Sequence, residues 1–385
     1  MTSITRVIPS MARPPSRALL VVGVALALAS ATSPIAHANG RSDSPPEVVP
    51  RLAFVDGSVL RVVDADGRGE RMLDVSGSAA APVVWDGLLD PSWSPDGTRI
   101  AYGRAMGATW IAGPSELRIA NADASRRETV LRLAGGVIHD VRLSPDGSRL
   151  AFVLFTPNPA EIVTWGLAGN RWDVYVLDVD GSGLRPVAPL HASEAHTLDW
   201  SPDGSKLAFV SDAGGITGVY TVAADEPALP VRVSPLDVAA RDPRWSPDGK
   251  SIAFTGRDLL PITELLDHSR LWIARADGTN ARPLPARTWG RPAWSPDGRW
   301  LAYLCVDDPC GINVIRTDGS TGRTLTTRPA FSLAWSRHGQ IAFVAGDREA
   351  SFCCPRTLRV MEGDGTDERE VTRATSVGLG IAWSE

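Results

Sequence analysis

The chain has 385 residues, of which 43% are hydrophobic and 22% are charged, so it is long enough to bury a large core. Its 36 glycines and 30 prolines predict many turns and few long helices. The formal net charge of −5 provides no basic surface, which argues against nucleic acid as a partner.

The first 38 residues predict an export signal. A positively charged region containing Arg13 and Arg17 precedes an apolar run over residues 18–29. Ala36 and Ala38 then form a small-x-small pattern, and we expect cleavage after Ala38. The apolar run is too short to span a membrane comfortably, so we expect no stable membrane span in the mature chain, with a retained anchor as the alternative.

This signal predicts a secreted or periplasmic protein. Residues 39–50, rich in Ser, Pro and charge, are interpreted as a flexible linker. The remaining residues, 51–385, are interpreted as one domain.

A five-residue motif recurs along that domain. Its first residue ends a short strand, Pro presets φ at the first corner of a turn, Asp caps the turn, and Gly tolerates positive φ. An apolar strand follows each copy. The copies are Trp93-Ser-Pro-Asp-Gly97, Leu143-Ser-Pro-Asp-Gly147, Trp200-Ser-Pro-Asp-Gly204, Trp245-Ser-Pro-Asp-Gly249, Trp294-Ser-Pro-Asp-Gly298 and a degraded Trp335-Ser-Arg-His-Gly339. Successive copies begin 41 to 57 residues apart, which is typical of four-stranded propeller blades.

The two ends of the domain carry the halves of one more copy. Residues 381–385 read as the first strand of the motif, and residues 51–55 read as its second strand. Pairing them would close a ring and remove exposed sheet edges. We therefore predict an all-β fold, a single β-propeller of seven four-stranded blades closed by pairing the C-terminal strand with the N-terminal blade. Six blades are the alternative.

The pattern Trp-Ser-Pro-Asp-Gly-x-x-Leu-Ala-Phe, as at residues 200–209, resembles the TolB-type β-propeller repeat. This repeat also occurs in the propeller domains of the prolyl oligopeptidase family. The resemblance covers residues 51–385 and implies a periplasmic or extracellular binding platform. Oligopeptidase relatives keep their catalytic serine in a separate hydrolase domain, and this sequence contains no Gly-x-Ser-x-Gly motif.

Four cysteines, in two pairs, predict disulfide bonds, because export permits them. Pairing within one loop and pairing between the two loops are both open, and four cysteines allow three connectivities. A metal site is disfavoured because no His lies near either pair at a familiar ligand spacing. The cysteines are Cys305, Cys310, Cys353 and Cys354.

Charged residues or histidines lie three or four positions before the first residue of five of the motif copies. In a closed ring these positions converge at the mouth of the central channel, on the face that carries the long loops. They could bind a small polar ligand or a cation, or simply line a hydrated channel with compensating charges. The candidates are Asp90, His139, Asp140, His196, Arg241, Asp242 and Arg291.

We predict no metal and no cofactor, because residues separated by an intervening blade are expected to lie too far apart for one tight metal shell. The motif aspartates (Asp96, Asp146, Asp203, Asp248 and Asp297) are interpreted as turn caps and not as ligands.

Long loops carry aromatic residues that a solvated loop does not need. Trp85, Trp110 and Trp165 are candidate anchors for a protein partner, and the alternative is that each tucks against its own blade. The leading hypothesis is a non-catalytic platform that binds a protein or a small polar ligand on the long-loop face. The alternative is a propeller enzyme, such as a lyase, lactonase or glycan-active hydrolase, with its site at the channel mouth.

Overall fold

Antiparallel strands and tight turns make up the part of the chain that the structure, a computed structural model, describes. The described residues are 49–57, 59–75, 88–105, 114–157, 171–192, 197–213, 215–226, 228–259, 269–306, 311–346, 356–374 and 377–384, with the backbone alone at 88–90, 188–192, 374 and 377–380. No helix occurs within these ranges. The predicted signal peptide and its cleavage position lie outside them.

Twenty-seven strands are present among these residues. The first fourteen are β1 (Arg51–Asp56), β2 (Val59–Asp64), β3 (Arg71–Val75), β4 (Leu88–Trp93), β5 (Arg99–Ala105), β6 (Ser115–Asn121), β7 (Arg127–Leu133), β8 (Val137–Leu143), β9 (Arg149–Thr156), β10 (Arg171–Asp178), β11 (Arg185–Ala192), β12 (Asp199–Trp200), β13 (Lys206–Ser211) and β14 (Gly218–Ala223). The others are β15 (Val231–Arg232), β16 (Val238–Trp245), β17 (Ser251–Asp258), β18 (Ser269–Arg275), β19 (Arg282–Trp294), β20 (Trp300–Cys305), β21 (Ile312–Arg316), β22 (Gly322–Thr326), β23 (Ala330–Trp335), β24 (Gln340–Ala345), β25 (Arg356–Glu362), β26 (Arg369–Ala374) and β27 (Val377–Trp383).

The strands form five four-stranded sheets and one seven-stranded sheet. The orders are β27-β1-β2-β3, β4-β5-β6-β7, β11-β10-β9-β8, β12-β13-β14-β15, β16 to β22 in sequence, and β23-β24-β25-β26. In the seven-stranded sheet, the first part of β19 pairs with β18 and its last part pairs with β20. When β19 is counted once for each part, the described strands make seven four-stranded units.

The Ser-Pro-Asp-Gly turn closes the first hairpin of a unit by side-chain hydrogen bonds. Ser246 donates its hydroxyl to Asp248 Oδ1 at 2.7 Å and accepts the Ser251 N–H at 2.9 Å. The same carboxylate oxygen accepts the Lys250 N–H at 3.1 Å, and Gly249 has a φ of +69°. The other four intact copies repeat the Ser–Asp bond, so these aspartates are turn caps, as the sequence predicted.

Adjacent units share their cores. The unit of β8–β11 packs against the unit of β12–β15 around Trp200 and Phe209. The unit of β27 and β1–β3 packs against the unit of β23–β26 around Phe54 and Trp383. Several motif tryptophans also donate their indole N–H to the neighbouring unit. Trp93 bonds to the carbonyl of Ala382, Trp200 to Arg142, Trp294 to Arg244 and Trp383 to Ala334, all at 3.0–3.1 Å.

The two ends of the domain pair with each other. Strand β27 lies antiparallel to β1, with Trp383 opposite Leu52 and Ile381 opposite Phe54. The Arg51 N–H also donates to the Ser384 hydroxyl at 2.8 Å. The all-β propeller class is confirmed. The number of blades and the closure of the ring stay predictions, which this strand order supports.

Candidate functional site

A central cavity of about 1020 Å³ is lined by the innermost strands of the seven units. These strands are β4, β8, β12, β16, the last part of β19, β23 and β27. Successive side chains of a strand point to opposite faces, so the residue directly before the motif Trp or Leu points to the opposite face of the strand from the motif residue itself. The positions directly before the motif Trp or Leu are Ser92, Arg142, Asp199, Arg244, Ala293, Ala334 and Ala382, and all seven line the cavity.

Three neighbouring inner strands bend in the same unusual way where they enter the cavity. Asp140, Thr197 and Asp242, each three residues before the motif position, have φ values of +49°, +54° and +56°. A left-handed conformation is uncommon for residues other than Gly, and it is strained for a β-branched residue such as Thr. The strand registers of β8 and β16 shift at the same points. These bulges re-aim the side chains at the mouth of the cavity.

Asp140 is the most enclosed carboxylate of the site, with 4% of the residue exposed. Its Oδ1 pairs with Arg142 Nη2 at 2.6 Å, and its Oδ2 accepts the Leu198 N–H at 2.6 Å. Arg291 Nη2 donates to the same Oδ2 at 3.0 Å. The carboxylate is therefore held by two guanidinium groups and one backbone amide.

Arg291 joins strands that are not neighbours. Besides its bond to Asp140 of β8, its Nε lies 3.6 Å from Asp242 Oδ1 of β16. Asp242 Oδ2 in turn accepts the Thr255 hydroxyl at 3.3 Å. The ion pair between Arg291 and Asp140 thus passes over two intervening units, those that begin with β12 and β16, which the strand positions alone do not indicate.

A second ion pair joins Asp199 of β12 to Arg244 of the neighbouring inner strand β16. Asp199 Oδ2 accepts the Trp245 N–H at 2.7 Å, and Asp199 Oδ1 lies 3.3 Å from Arg244 Nη1. The prediction did not include Arg142, Asp199 or Arg244. Their common place in the repeat could have identified them, because each stands directly before the first residue of a motif copy. The six side chains Asp140, Arg142, Asp199, Asp242, Arg244 and Arg291 are called the charged wall below.

The pKa values of Asp140 and Asp199, two buried acids of the charged wall, are shifted in opposite directions. Burial by itself raises the pKa of Asp140, but Arg142 and Arg291 outweigh that effect and lower the pKa to about 2. For Asp199, burial dominates over the attraction of Arg244 and raises the pKa above its usual value of 3.8. Burial likewise lowers the pKa of the Arg244 guanidinium, in spite of Asp199 beside it.

Strands β19, β23 and β27 place small apolar residues along the cavity and an aromatic pair at its rim. Ala293, Ala334 and Ala382 stand where the charged wall has Arg142, Asp199 and Arg244. Trp289 is 40% exposed and meets Phe331 edge to face, with ring centroids 6.2 Å apart. These strands therefore place small apolar side chains beside Arg291 and Arg337, which also line the cavity. Trp289 and Phe331 are called the aromatic rim below.

The structure brings together three of the predicted ligand-binding residues: Asp140, Asp242 and Arg291. His139 instead packs its ring against Trp172, with centroids 5.3 Å apart. Arg241 is exposed and is not among the residues that line the cavity. Only the backbone of Asp90 is described, at the inner strand β4. The candidates His196, Trp85, Trp110, Trp165, Cys310, Cys353 and Cys354 lie outside the described residues.

The remaining predictions concern metals, disulfides and membranes. In the described ranges, no three His, Cys, Asp or Glu side chains come together where they could hold a metal ion. Cys305 ends β20, and its disulfide pairing stays a prediction. The same ranges contain no helix of the length and apolarity needed to cross a membrane.

The repeated antiparallel units around a central cavity define a β-propeller protein. The chain belongs to the TolB beta propeller domain family, whose family model matches residues 50–336. Similar solved structures include TolB from Acinetobacter baumannii, with a TM-score of 0.53 and 18% identity over 87% of this chain and 66% of that one. An oligogalacturonate lyase from Vibrio parahaemolyticus has a TM-score of 0.59 and 10% identity, covering 79% of this chain and 83% of the lyase.

A curated relative is the uncharacterized peptidase YuxL of Bacillus subtilis, which is 31% identical over 200 residues. The match covers 43% of this chain and 29% of the peptidase. This chain therefore spans less than a third of the length of that relative.

Proposed function

We propose that this protein is a secreted or periplasmic, non-catalytic binding platform that takes a protein or a small polar ligand at the mouth of the central cavity. The observation that carries the proposal is the charged wall, which stands in an open cavity of about 1020 Å³. Pockets that bind small ligands are typically about 300–1,000 Å³, with a few fixed polar groups that orient the ligand.

The charged wall is pre-organised for recognition. Arg291 is held by both Asp140 and Asp242, and Asp140 is fixed in turn by Arg142 and the Leu198 amide. Side chains that are already held lose little conformational entropy when a ligand binds. The left-handed backbone at Asp140, Thr197 and Asp242 adds local strain, which proteins tend to retain at functional sites.

The charge state of Asp140 argues for binding over catalysis. A general acid or base works best with a pKa near the operating pH. The pKa of Asp140 is about 2, so this carboxyl stays ionised at neutral pH and holds no proton to donate. Its role in the proposal is to position Arg142 and Arg291.

The test is a retention experiment with the purified mature chain on a solid support. Culture supernatant and periplasmic extract of the source cells are passed over the wild type and three variants. Trp289→Ala removes an exposed ring at the mouth, and a Trp110→Ala, Trp165→Ala double variant removes the predicted loop anchors. Leu229→Ala is the control, because Leu229 is 91% exposed just before the outer strand β15.

We expect at least one of the two sets of mouth variants to lose most of the retained material, and Leu229→Ala to lose none. Equal retention by all three variants contradicts a binding surface at the mouth. Failure of the wild type to retain anything contradicts the platform itself.

A second candidate function is an enzyme of the lyase, lactonase or glycan-active hydrolase type. The observation that favours it is Asp199, whose raised pKa and position in the cavity are typical of acid–base residues. The structural similarity to an oligogalacturonate lyase is at the level of the fold.

This candidate is tested by incubating the chain with polygalacturonate and following unsaturated products by ultraviolet absorbance and new reducing ends chemically. The enzyme hypothesis predicts turnover that Asp199→Asn abolishes and Asp225→Asn preserves, because the Asp225 side chain is 69% exposed outside the cavity. A wild-type chain without turnover rejects this substrate.

A further inference from the structure

Arg51 fills a groove between its own unit and the unit of β4–β7. Its guanidinium carbon lies 5.4 Å from the centroid of the Trp93 ring, and its Nη2 donates to the Gly97 carbonyl at 2.6 Å. Trp93 is the first residue of a motif copy, and Gly97 is its last. The Arg51 N–H donates to Ser384, the motif serine of its own unit. The guanidinium therefore uses both its flat face and its N–H donors to hold the neighbouring motif.

Arg149 makes the same two contacts with the unit of β12–β15. Its guanidinium carbon lies 5.1 Å from the centroid of the Trp200 ring, and its Nη2 donates to the Gly204 carbonyl at 2.9 Å. Its Nη1 also pairs with Asp225 at 2.5 Å. Two grooves of the domain thus receive a guanidinium in the same way.

A serine stands at the equivalent position in the unit that begins with β16. Ser251 and Arg149 are each the sixth residue after the first residue of a motif copy. The Ser251 N–H donates to the Ser246 hydroxyl at 2.9 Å, and the Arg149 N–H donates to the Ser144 hydroxyl at 2.9 Å. The backbone is therefore held in the same way, and the two positions differ in the length and charge of the side chain.

The short side chain of the serine faces a cavity of about 440 Å³ beside Trp294. Trp294 donates its indole N–H to the Arg244 carbonyl at 3.0 Å, as Trp93 and Trp200 donate theirs to the preceding unit, so its ring is anchored in the same way. Trp93 and Trp200 are buried, whereas Trp294 is partly exposed. Gly298 also lines the cavity, and its carbonyl accepts no hydrogen bond from the described part of the chain.

We propose that this groove binds an arginine side chain of a partner protein. The two filled grooves show which contacts Trp294 and Gly298 can make with a guanidinium that is supplied from outside the chain. Trp294 is the last residue of β19, and Trp289 of the aromatic rim stands five residues earlier on the same strand. The groove is therefore separate from the mouth of the central cavity, and it does not rest on the function proposed above.

Two motif aspartates, Asp248 and Asp297, also line the groove. Each caps its turn through Oδ1, and their side chains are 58% and 53% exposed. The Oδ2 atoms lie 3.7 Å from Lys250 Nζ and 4.0 Å from Arg299 Nε, and exposed ion pairs of this kind are weak. A bound guanidinium can therefore compete for these two oxygens.

The repeat also indicates that the groove prefers arginine to lysine. Lys206 stands at the equivalent position in the unit of β12–β15, before the motif copy that begins with Trp245. Within the described residues, Lys206 makes neither the ring contact nor the bond to Gly249 that the two arginines make with their neighbours. An ammonium has no flat face to lay on an indole, whereas a guanidinium has one.

The experiment is a ligand-observed NMR titration of the purified mature chain with four compounds. N-acetyl-arginine methylamide presents the proposed side chain, and the citrulline compound is its uncharged match of the same shape. The lysine compound carries the charge without the planar group, and methylguanidinium carries the group without the alkyl stem. We expect the arginine compound to bind at least fivefold more tightly than each of the other three.

Variants at position 251 then assign the binding to the groove. Ser251→Arg supplies the guanidinium from within the chain, as Arg149 does, so it is expected to abolish binding of the arginine compound and to raise the melting temperature. Ser251→Ala is the matched control, because it keeps a short side chain and the backbone N–H that bonds to Ser246. We expect Ser251→Ala to bind like the wild type.

Trp294→Leu tests the aromatic face of the groove. Leu143 occupies the same position in another motif copy, so the repeat accommodates leucine there. We expect the variant to bind the arginine compound at least fivefold more weakly, with folding checked by near-ultraviolet circular dichroism. If Trp294→Leu does not fold, Ser251→Arg decides the question.

Three outcomes overturn the proposal. The arginine compound fails to bind, it binds no more tightly than the citrulline compound, or it binds Ser251→Arg as tightly as the wild type. Equal binding of methylguanidinium overturns the assignment to an arginine side chain. Because no variant of the groove alters the mouth of the central cavity, this proposal and the proposed function fail in separate experiments.

Discussion

Replacing Asp140 by Asn removes one charge from the middle of the charged wall and leaves its shape almost unchanged. Asp140 is 4% exposed and pairs with Arg142 and Arg291. Asn retains an oxygen that can accept the Leu198 N–H, but it cannot neutralise the two guanidinium groups. The variant therefore measures the contribution of the charge to the stability of the fold.

The pKa of Asp140 sets the size and the pH dependence of the effect. Its pKa falls from the usual 3.8 to about 2 on folding. One pKa unit corresponds to about 1.4 kcal/mol, so the ionised carboxylate contributes roughly 2 kcal/mol at pH 7. Because the folded pKa is the lower one, this stability is complete above about pH 4 and is lost as the pH falls towards 2. At pH 3 about half of it remains.

The assay is urea unfolding followed by tryptophan fluorescence, at pH 7 and at pH 3. We expect Asp140→Asn to lower the free energy of unfolding by about 2 kcal/mol at pH 7 and by about 1 kcal/mol at pH 3. The control is Asp225→Asn, which removes a 69% exposed partner of Arg149 and should cost under about 1 kcal/mol. A difference from the wild type that is equal at both pH values would refute the assigned role of the charge.

Three further predictions concern the turn, the joined ends and export. Ser246→Ala should lower the free energy of unfolding, measured by thermal melts, by about 1 kcal/mol, because the hydroxyl donates a hydrogen bond to Asp248 and accepts one from the Ser251 N–H. An unchanged melting temperature would contradict the turn-cap assignment. Ending the chain at Ala374 removes β27 and leaves one edge of β1 without a partner strand. Calorimetry should then show a lower melting temperature, and size-exclusion chromatography should show self-association. A melting temperature and an elution volume equal to those of the full-length chain would contradict this. N-terminal sequencing of the mature protein should begin at Asn39, and a chain that retains residues 1–38 would contradict cleavage.

The propeller was predictable because the motif has a local meaning at every position. Pro247, Asp248 and Gly249 each have a role that follows from their own backbone preferences and from hydrogen bonds within five residues. Repetition at a blade-sized spacing then determined the class of fold. The pairing of β27 with β1 followed from two half-motifs at the ends.

The site was predicted only in part, because its partners depend on side-chain reach and on bends in the strands. The positions three before the motif Trp led to Asp140, Asp242 and Arg291, but the ion pair between Arg291 and Asp140 joins residues 151 apart in sequence. The repeat position directly before the motif residue would have added Arg142, Asp199 and Arg244. His139 lies next to Asp140 in sequence, yet it packs against Trp172.

Hydrogen–deuterium exchange on the purified chain, alone and with the material that it retains, locates the binding surface directly. Binding at the cavity mouth predicts slower exchange in β8, β16 and the last part of β19, which carry Asp140, Asp242 and Arg291. Slower exchange confined to the Ser-Pro-Asp-Gly turns or to the outer strand β15 would contradict a binding site at the mouth.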